Sequence, residues 1–382
     1  MDDGDKIEII QSATFGRRGA RVYSIIIAGG GTGGHIFPAI AIANALKAAA
    51  PQTDILFVGA RGKMEMEKVP QAGYQIKGLE IAGFNRSSLI KNISLPFKLI
   101  KSFLQVRTIF QAFKPDAVIG VGGYSSFPVL RFAQSQGIKT FIHESNFFAG
   151  KSNIFLGKRA DKIFTATEGM EHFFPAGKIM ITGNPVRQNI AANKISKEEA
   201  LRYFGLTADK KIVLSIGGSL GAKSINEAIN EHLEEFENNN LQLIWQTGKP
   251  YLEKATRRVN GRKTVFVNDF ITQMEYAYAA ADIVISRSGA MATAEICVAK
   301  KPVVFVPYPF AAEDHQTENA KALVNKHAAE MIKDSEAFQQ LVPAVIRLSK
   351  DQVLQKELIE NIGRMAVYNA DTIIAKAILG SL

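Results

Sequence analysis

Short apolar runs of strand length alternate along this chain with stretches that carry a helical pattern of apolar residues. Such alternation is typical of parallel sheets whose two faces are covered by helices. One predicted helix, Phe37–Ala49, has an apolar face made of Ala39, Ile40, Ala43 and Leu46. The strands predicted in the first half are Val22–Ala28, Asp54–Val58, Ala117–Gly120, Lys139–His143, Lys162–Thr165 and Ile179–Thr182.

The alternation starts again after Asn184 and Pro185, which predicts a second sheet. Both halves open with a strand, a glycine-rich turn and a helix, at Ile25–Leu46 and Val213–Leu233. We therefore predict an α/β fold in which two doubly wound Rossmann-like domains face each other across a cleft. The second half is predicted to contain strands Lys211–Ile216, Leu241–Gln246, Thr264–Val267, Asp282–Ser286 and Pro302–Val306, and helices Lys223–Leu233, Thr293–Ala299 and Thr317–Asn325.

Length and composition agree with this division, because 382 residues suit two domains of ordinary size. We expect a loose extension at 1–20, a first domain at 21–187 that a helix at about 366–382 completes, and a second domain at 188–365. The single cysteine, Cys297, excludes an intrachain disulfide and, with the acidic start of the chain, favours a reducing cytoplasm. No apolar run reaches the ~20 residues of a membrane span.

The net charge of +10 is concentrated in the first half of the chain. Residues 1–187 hold 23 lysines and arginines against 13 acidic residues, whereas residues 188–382 hold 23 of each. Within Gly83–Lys114, six cations and no anion are interleaved with large apolar side chains. This pattern favours contact with an anionic membrane through Lys91, Lys98 and Lys101, although a helix with a solvated basic face gives the same pattern. Nucleic acid is not expected as a partner, because no motif for it is present.

The first glycine-rich turn formally matches the dinucleotide-binding fingerprint through Gly29, Gly31 and Gly34. A dinucleotide enzyme also needs a carboxylate at the end of the next strand, and this strand leads instead to Arg61. An NADP-dependent oxidoreductase that uses Arg61 therefore stays open as an alternative. His35 closes the turn beside a helix N-terminus, where it is either a general base for a substrate hydroxyl or a partner of a loop carbonyl.

Polar residues follow other predicted strands at the edge where open parallel sheets bind ligands. Glu144 is either a partner for a nearby histidine or a cap of its own loop. The second half places Ser286–Ala290, Glu295, Gln316 and Asn319 after its later strands. A carboxylate for ribose hydroxyls, a helix N-terminus for phosphate and an amide for a sugar suggest a nucleotide-sugar site.

We predict no metal, because the chain has no cysteine cluster, no histidine pair at metal spacing and no Asp-x-Asp at a strand end. A leaving diphosphate would then be stabilised by helix N-termini, backbone amides and Arg187 or Arg287.

Together these motifs resemble the MurG family of bacterial glycosyltransferases, in the family's order from about Val22 to Asn325. The matching strings are Gly29–His35, Gly120–Tyr124, His143–Asn146, Gly183–Arg187, Gly217–Ala222, Ser286–Ala290 with Glu295, and Asp314–Gln316 with Asn319. The resemblance implies the GT-B fold and inverting transfer of N-acetylglucosamine from UDP-N-acetylglucosamine to the 4-hydroxyl of the muramoyl sugar of lipid I. Lipid I is undecaprenyl-diphosphate-linked muramoylpentapeptide, and the product is lipid II for peptidoglycan synthesis. The resemblance also implies peripheral attachment to the cytoplasmic face of the plasma membrane, and no cofactor.

The resemblance further implies roles for individual residues, with His35 as the catalytic base. The acceptor would lie against Gly31, His35, Gly122, Gly123 and Tyr124. The donor would contact Thr32, Gly33, Gly34, Asn146, Arg187, Ser219, Phe270, Ile271, Ser288, Gly289, Ala290, Glu295, Gln316 and Asn319. Within that set, Glu295 is expected at the ribose and Phe270–Ile271 at the uracil.

Two residues depart from the family pattern, because Ser145 and Leu220 stand where glutamine is more frequent. These departures affect the sugar contact and the packing of the phosphate loop. Epimerases of UDP-N-acetylglucosamine and natural-product glycosyltransferases share the fold and remain alternatives. A non-catalytic UDP-sugar-binding membrane scaffold is a further alternative, and it would release no UDP when an acceptor is supplied.

Overall fold

The computed structural model describes residues 22–82, 95–311 and 314–382. The first half forms a seven-stranded sheet in which every pair of neighbouring strands is parallel. Its strands are β1 (Ser24–Ala28), β2 (Asp54–Ala60), β3 (Gln75–Leu79), β4 (Ala117–Gly120), β5 (Lys139–Glu144), β6 (Lys162–Thr165) and β7 (Ile179–Ile181). The helices between them are α1 (Gly33–Ala49), α2 (Glu65–Gln71), α3 (Leu95–Phe113), α4 (Ser126–Ser135) and α5 (Lys151–Gly157).

The second half forms a six-stranded parallel sheet. Its strands are β8 (Lys211–Ile216), β9 (Leu241–Gln246), β10 (Val265–Asn268), β11 (Ile283–Ser286), β12 (Val303–Phe305) and β13 (Glu330–Met331). The helices are α6 (Gln188–Ala191), α7 (Lys197–Phe204), α8 (Lys223–Glu231), α9 (Leu233–Asn238), α10 (Leu252–Val259), α11 (Met274–Ala280), α12 (Ala290–Ala299), α13 (His315–Val324), α14 (Ala337–Lys350), α15 (Gln352–Arg364) and α16 (Ala370–Leu379).

The strand orders are β3-β2-β1-β4-β5-β6-β7 and β10-β9-β8-β11-β12-β13. In each sheet the chain first adds strands on one side and then reverses to the other side. The reversal lies between β1 and β4 in the first sheet and between β8 and β11 in the second. Open parallel sheets bind ligands at this reversal, beyond the carboxyl ends of the strands. The fold-class prediction of two doubly wound sheets is confirmed.

The C-terminal helix α16 packs against α1 in the first half. Its buried Ile374 and Ile378 share one apolar cluster with Ile42 and Leu46 of α1. The chain therefore returns from the second sheet to the first after α15. Within the described ranges, no helix is long and apolar enough to cross a membrane.

The sequence pattern missed strands β3 and β13 and placed the start of α1 too late. Strand β3 lies at the edge of the sheet and is only partly buried, so its residues do not form an apolar run. Helix α1 begins at Gly33, four residues before the predicted start at Phe37, because Gly33 and Gly34 adopt the first helical turn. Glycine has a low helix propensity, which is why the pattern excluded both residues.

Candidate active site

Two glycine loops meet at the reversal point of the first sheet, after β1 and after β4. The amide of Gly30 donates to the carbonyl of Gly122 over 3.3 Å. A Cβ atom on Gly123 would lie 2.4 Å from the carbonyl oxygen of Gly30. Gly123 also has a φ of 83°, a conformation that side chains disfavour. The two loops therefore form one interlocked surface, which only glycine allows at these positions.

His35 lies in the first turn of α1 and packs against the second glycine loop. Its Nδ1 atom is 3.1 Å from the carbonyl oxygen of Gly30, which can only accept, so Nδ1 carries the proton. The lone pair then lies on Nε2, and a Cβ atom on Gly122 would be 2.8 Å from Nε2. The structure therefore shows the contact with a loop carbonyl, and the lone pair of Nε2 faces the Gly122 loop, while the role of His35 as a general base stays a prediction.

Burial favours the neutral form of His35. Burial lowers the pKa of the His35 imidazole below its usual 6.5, while the Glu144 carboxylate and the Gly30 carbonyl oppose this shift. Thr32 is exposed just before α1, with its hydroxyl 3.4 Å from Nδ1 of His35. Gly34 is likewise exposed in the first helical turn.

The side chain of Glu144 holds the loop that follows β5. One carboxylate oxygen accepts from the backbone and side-chain amides of Asn146, at 3.1 and 3.2 Å. The other accepts from the Gly150 amide and the Asn153 side chain. Of the two roles left open by the sequence, the hydrogen bonds of Glu144 are those of a loop cap. The neighbouring His143 is buried, and burial lowers its pKa to about 4.

The second half repeats the strand–loop–helix arrangement after β8. A Cβ atom on Gly221 would lie 1.9 Å from the carbonyl oxygen of Thr247, so this loop packs directly on the loop after β9. Ser219 is exposed at its tip. Ile271 is buried, its amide donating to the Gln246 side chain over 2.9 Å, and Phe270 is half-buried beside it.

Arg187 and Glu295 pair with each other inside the cleft. Nε and Nη2 of Arg187 donate to the two carboxylate oxygens of Glu295 over 2.9 and 3.1 Å. The hydroxyl of Tyr278 also donates to Glu295, over 3.3 Å. The Arg187 guanidinium lies 4.8 Å from the ring centre of Phe37 in α1, so it connects the two halves. Although burial opposes it, the Glu295 carboxylate raises the pKa of Arg187.

Several residues that are predicted to contact the donor substrate lie at the junction between α12 and α13. Gly289 precedes α12 and Ala290 begins it. Ser288 is fully buried and its hydroxyl donates to the carbonyl of Gln316. Asn319 is also buried, donating to the Ser288 carbonyl over 3.0 Å and accepting from the Phe147 amide of the first half over 3.4 Å. These side chains thus support the cleft wall, and their contact with a donor stays a prediction.

The Gln316 side chain is half-buried and accepts from the Tyr308 amide over 3.0 Å.

Tyr124 is half-buried beside the glycine loops of the first half, and burial raises the pKa of its hydroxyl. Ser145 and Asn184, both from the first half, share a cavity between the halves with Asn319.

Two arginines considered from the sequence are engaged within the protein. Arg287 donates to the Asp334 carboxylate over 2.6 Å and to the Val306 carbonyl. Arg61 pairs with Glu80 over 3.0 Å on the surface. Both guanidinium groups therefore already have partners within the protein, and their contact with a diphosphate or a dinucleotide stays a prediction. In the described part of the chain, no group of three or more acidic, histidine or cysteine residues is arranged to hold a metal ion.

The basic segment is described from Leu95 onward, and Lys91 lies outside the described residues. Lys98 is exposed in the first turn of α3, and Lys101 pairs with Glu80 over 2.6 Å. Phe97, Ile100 and Leu104 are among the most exposed apolar side chains of the molecule. The start of α3 therefore presents apolar and basic side chains together to solvent.

Sequence reasoning missed Glu65, which lies directly under the first glycine loop. Its side chain is buried and accepts from the Gly31 amide over 2.8 Å. A glutamate at the start of a helix usually interacts favourably with the helix dipole at the surface, so its sequence position gave no sign of burial. One signal was available in the sequence. The glycine at position 59 lies near the end of a buried strand, where a glycine often marks the close approach of another group.

Two doubly wound sheets with glycine loops facing a shared cleft define the GT-B fold. The Glycosyltransferase family 28 N-terminal domain matches residues 25–165, and the Glycosyltransferase family 28 C-terminal domain matches residues 212–371. The chain belongs to glycosyltransferase family 28.

Named relatives agree with this assignment. The UDP-N-acetylglucosamine--N-acetylmuramyl-(pentapeptide) pyrophosphoryl-undecaprenol N-acetylglucosamine transferase of Phocaeicola vulgatus is 50% identical, with 93% of this chain and 95% of the relative covered. The enzyme of the same name from Parabacteroides distasonis is 51% identical, with 93% and 97% covered. The crystal structure of Acinetobacter baumannii MurG has a TM-score of 0.74 and 27% identity, covering 94% of this chain and all of that one.

A solved epimerase has a similar fold. UDP-GlcNAc 2-epimerase from Neisseria meningitidis, bound to UDP-GlcNAc, has a TM-score of 0.67 at 15% identity, covering 94% of this chain and all of that one. At that identity the likeness shows the fold alone.

Proposed function

We propose that this chain transfers N-acetylglucosamine from UDP-N-acetylglucosamine to the 4-hydroxyl of the muramoyl sugar of lipid I, which gives lipid II. The relatives that are about half identical over almost their whole length carry the name of this activity. The observation that carries the proposal is the arrangement of His35, whose unprotonated Nε2 lies over the second glycine loop.

The reaction is a single in-line displacement. The acceptor oxygen forms a bond to the anomeric carbon of the donor sugar while the bond from that carbon to the UDP oxygen breaks. Nε2 of His35 takes the hydroxyl proton, and the electron pair of the broken bond leaves with UDP. Attack from the opposite face inverts the anomeric centre, so an α-linked donor gives a β-linked product.

The two halves divide the substrates between them. The lipid diphosphate lies against the glycine loops after β1 and β4, and UDP lies against the loop after β8 and the N-terminus of α12. Backbone amides there stabilise the charge that develops on the leaving UDP. The proposal assigns no metal or other cofactor, so we expect an excess of chelator to leave the rate unchanged.

A membrane surface is the proposed location of the reaction, because the acceptor is a lipid and the donor is soluble. The exposed Phe97, Ile100 and Leu104 at the start of α3, together with Lys98, support docking on anionic lipid. We place the enzyme at the cytoplasmic face, where the nucleotide sugar is available. Lys91 belongs to the proposed patch by sequence.

The product structure tests this function. Incubation with UDP-N-acetylglucosamine and a short-chain lipid I analogue should give a disaccharide whose NMR spectrum shows a β-1,4 linkage. A different UDP-sugar formed from the donor alone would indicate an epimerase instead. A retained α linkage would contradict single displacement.

A further inference from the structure

A buried carboxylate, Glu65, lies beneath the first glycine loop, and the proposed reaction does not use it. Only 1% of Glu65 is exposed to solvent. Its Oε1 accepts from the Ala60 amide over 2.9 Å and its Oε2 from the Gly31 amide over 2.8 Å. Both oxygens of the side chain thus accept from backbone amides. Glu65 therefore ties the end of β2 to the loop after β1.

The surrounding glycines leave room for this side chain. A Cβ atom on Gly30 would lie 2.4 Å from the carboxyl carbon of Glu65, and one on Gly59 would lie 2.5 Å from its Cγ. Both distances are shorter than any allowed contact, so a side chain at either position would displace the carboxylate. The glycines at 30 and 59 are thus explained by the carboxylate between them.

One peptide group connects Glu65 to His35. The amide that donates to Glu65 belongs to Gly31, and the carbonyl that accepts from Nδ1 of His35 belongs to Gly30. These are the two ends of the same peptide group, which is planar and trans, so its N–H and C=O point in opposite directions. When Glu65 fixes the N–H, it also fixes the carbonyl that holds His35.

The negative charge of Glu65 also supports the action of His35 as a base. The titratable groups that face His35 are Glu65, Glu144, His143 and His315. Taking the hydroxyl proton turns His35 into a cation, which the two carboxylates stabilise. Because Glu65 is buried, its effect is screened less than that of a surface carboxylate.

We infer that Glu65 is a positioning residue for the transfer reaction, acting through the Gly30–Gly31 peptide to hold His35 with Nε2 free as the base. This inference rests on the proposed function, in which His35 takes the acceptor proton.

Glu65→Gln tests the inference, with Glu67→Gln as the matched control. Glutamine keeps the shape of the side chain, but its NH2 group cannot accept, so one of the two amides loses its partner. Glu67 lies on the same helix, is exposed and bonds only to neighbours on α2, so its variant makes the same charge change without touching the loop.

In Glu65→Gln, kcat should fall roughly tenfold or more, because a misplaced base loses rate steeply. The affinity for UDP, measured by calorimetry, should stay unchanged. The acid limb of the kcat/KM profile should move to lower pH, because loss of the anion lowers the pKa of His35. Glu67→Gln should match the wild type in all three measurements.

Glu65→Asp separates geometry from charge. It keeps the anion but shortens its reach, so kcat should fall while the acid limb stays in place. If circular dichroism shows that Glu65→Gln does not fold, the Glu65→Asp variant tests the positioning role of Glu65 in its place. A wild-type kcat in Glu65→Asp would then overturn the inference.

Two results for a folded Glu65→Gln would overturn the inference. One is a wild-type kcat and pH profile, and the other is an equal loss of UDP affinity, which would indicate general distortion. If the wild type itself makes no product from the lipid I analogue, the proposed function fails instead.

Discussion

The two halves of the molecule hold their first glycine loops in opposite ways. In the first half the Glu65 carboxylate accepts from the Gly31 amide over 2.8 Å. In the second half the Gln246 side chain donates to the Gly218 carbonyl over 3.1 Å. The Glu65 carboxylate accepts from a backbone amide of its loop. The Gln246 side chain instead donates to a backbone carbonyl of its loop and is uncharged. In the proposed function both loops receive a diphosphate, but only the loop of the first half also holds the catalytic base.

His35→Ala should give the largest effect, because it removes the proton acceptor of the first half. We expect kcat to fall by roughly 10²–10⁴. UDP binding, measured by calorimetry, should be unchanged, because the proposed function places UDP against the second half. His172→Ala is the control, since His172 is exposed elsewhere in the first half. If His35→Ala keeps more than about a tenth of the activity, the base is another group.

Gln246→Glu would give the second half the anionic support of the first. A buried carboxylate beneath the donor loop should repel the diphosphate and weaken UDP binding roughly 10- to 100-fold. Gln242→Glu is the matched control, because Gln242 is buried on the same strand but bonds Thr207 at its opposite end. Equal UDP affinities for both variants would show that the charge under the loop has no bearing on the donor.

Glu295→Ala tests the donor half at the proposed ribose contact. Loss of a buried hydrogen-bond acceptor costs about 1–3 kcal/mol, so kcat/KM for the donor should fall about tenfold. The variant also leaves Arg187 without its partner, and a thermal unfolding scan checks the fold. Glu318→Ala, on the surface of α13, should be neutral. Wild-type donor kinetics for Glu295→Ala would show that Glu295 does not contact the donor.

Lys98→Glu should have the smallest effect on catalysis, because it should change membrane binding alone. Each cation near an anionic leaflet contributes about 1 kcal/mol, so charge reversal should lower vesicle binding by roughly tenfold or more at low salt. Lys101→Glu should have a smaller effect, because Glu80 already neutralises Lys101. Turnover of a water-soluble acceptor should be unaffected. Unchanged sedimentation of Lys98→Glu with anionic vesicles would show that α3 does not dock there.

Local features of the sequence predicted the sheets and the glycine loops. A buried strand needs a continuous apolar run, and a tight turn with positive φ needs glycine, so both leave a mark in a few adjacent residues. The edge strand β3 was missed because partial burial leaves no such run. His35 was found because it closes a glycine turn.

Contacts between distant residues could not be predicted from those patterns. Arg187 and Glu295 are 108 residues apart, and each was assigned separately to the donor although they bind each other in this structure. Glu65 and Gly31 are 34 residues apart, and only the neighbouring strands β1 and β2 bring them together. Such pairs depend on strand order, which the periodicity of the chain does not determine.

UDP release at saturating UDP-N-acetylglucosamine, with and without a short-chain lipid I analogue, tests the central claim most directly. We expect rapid release only when the acceptor is present, because its hydroxyl is the proposed nucleophile and His35 takes the proton of that hydroxyl. Release at the same rate without the acceptor would contradict the proposed transfer, because water rather than the acceptor hydroxyl would then be the nucleophile. So would the absence of release with it.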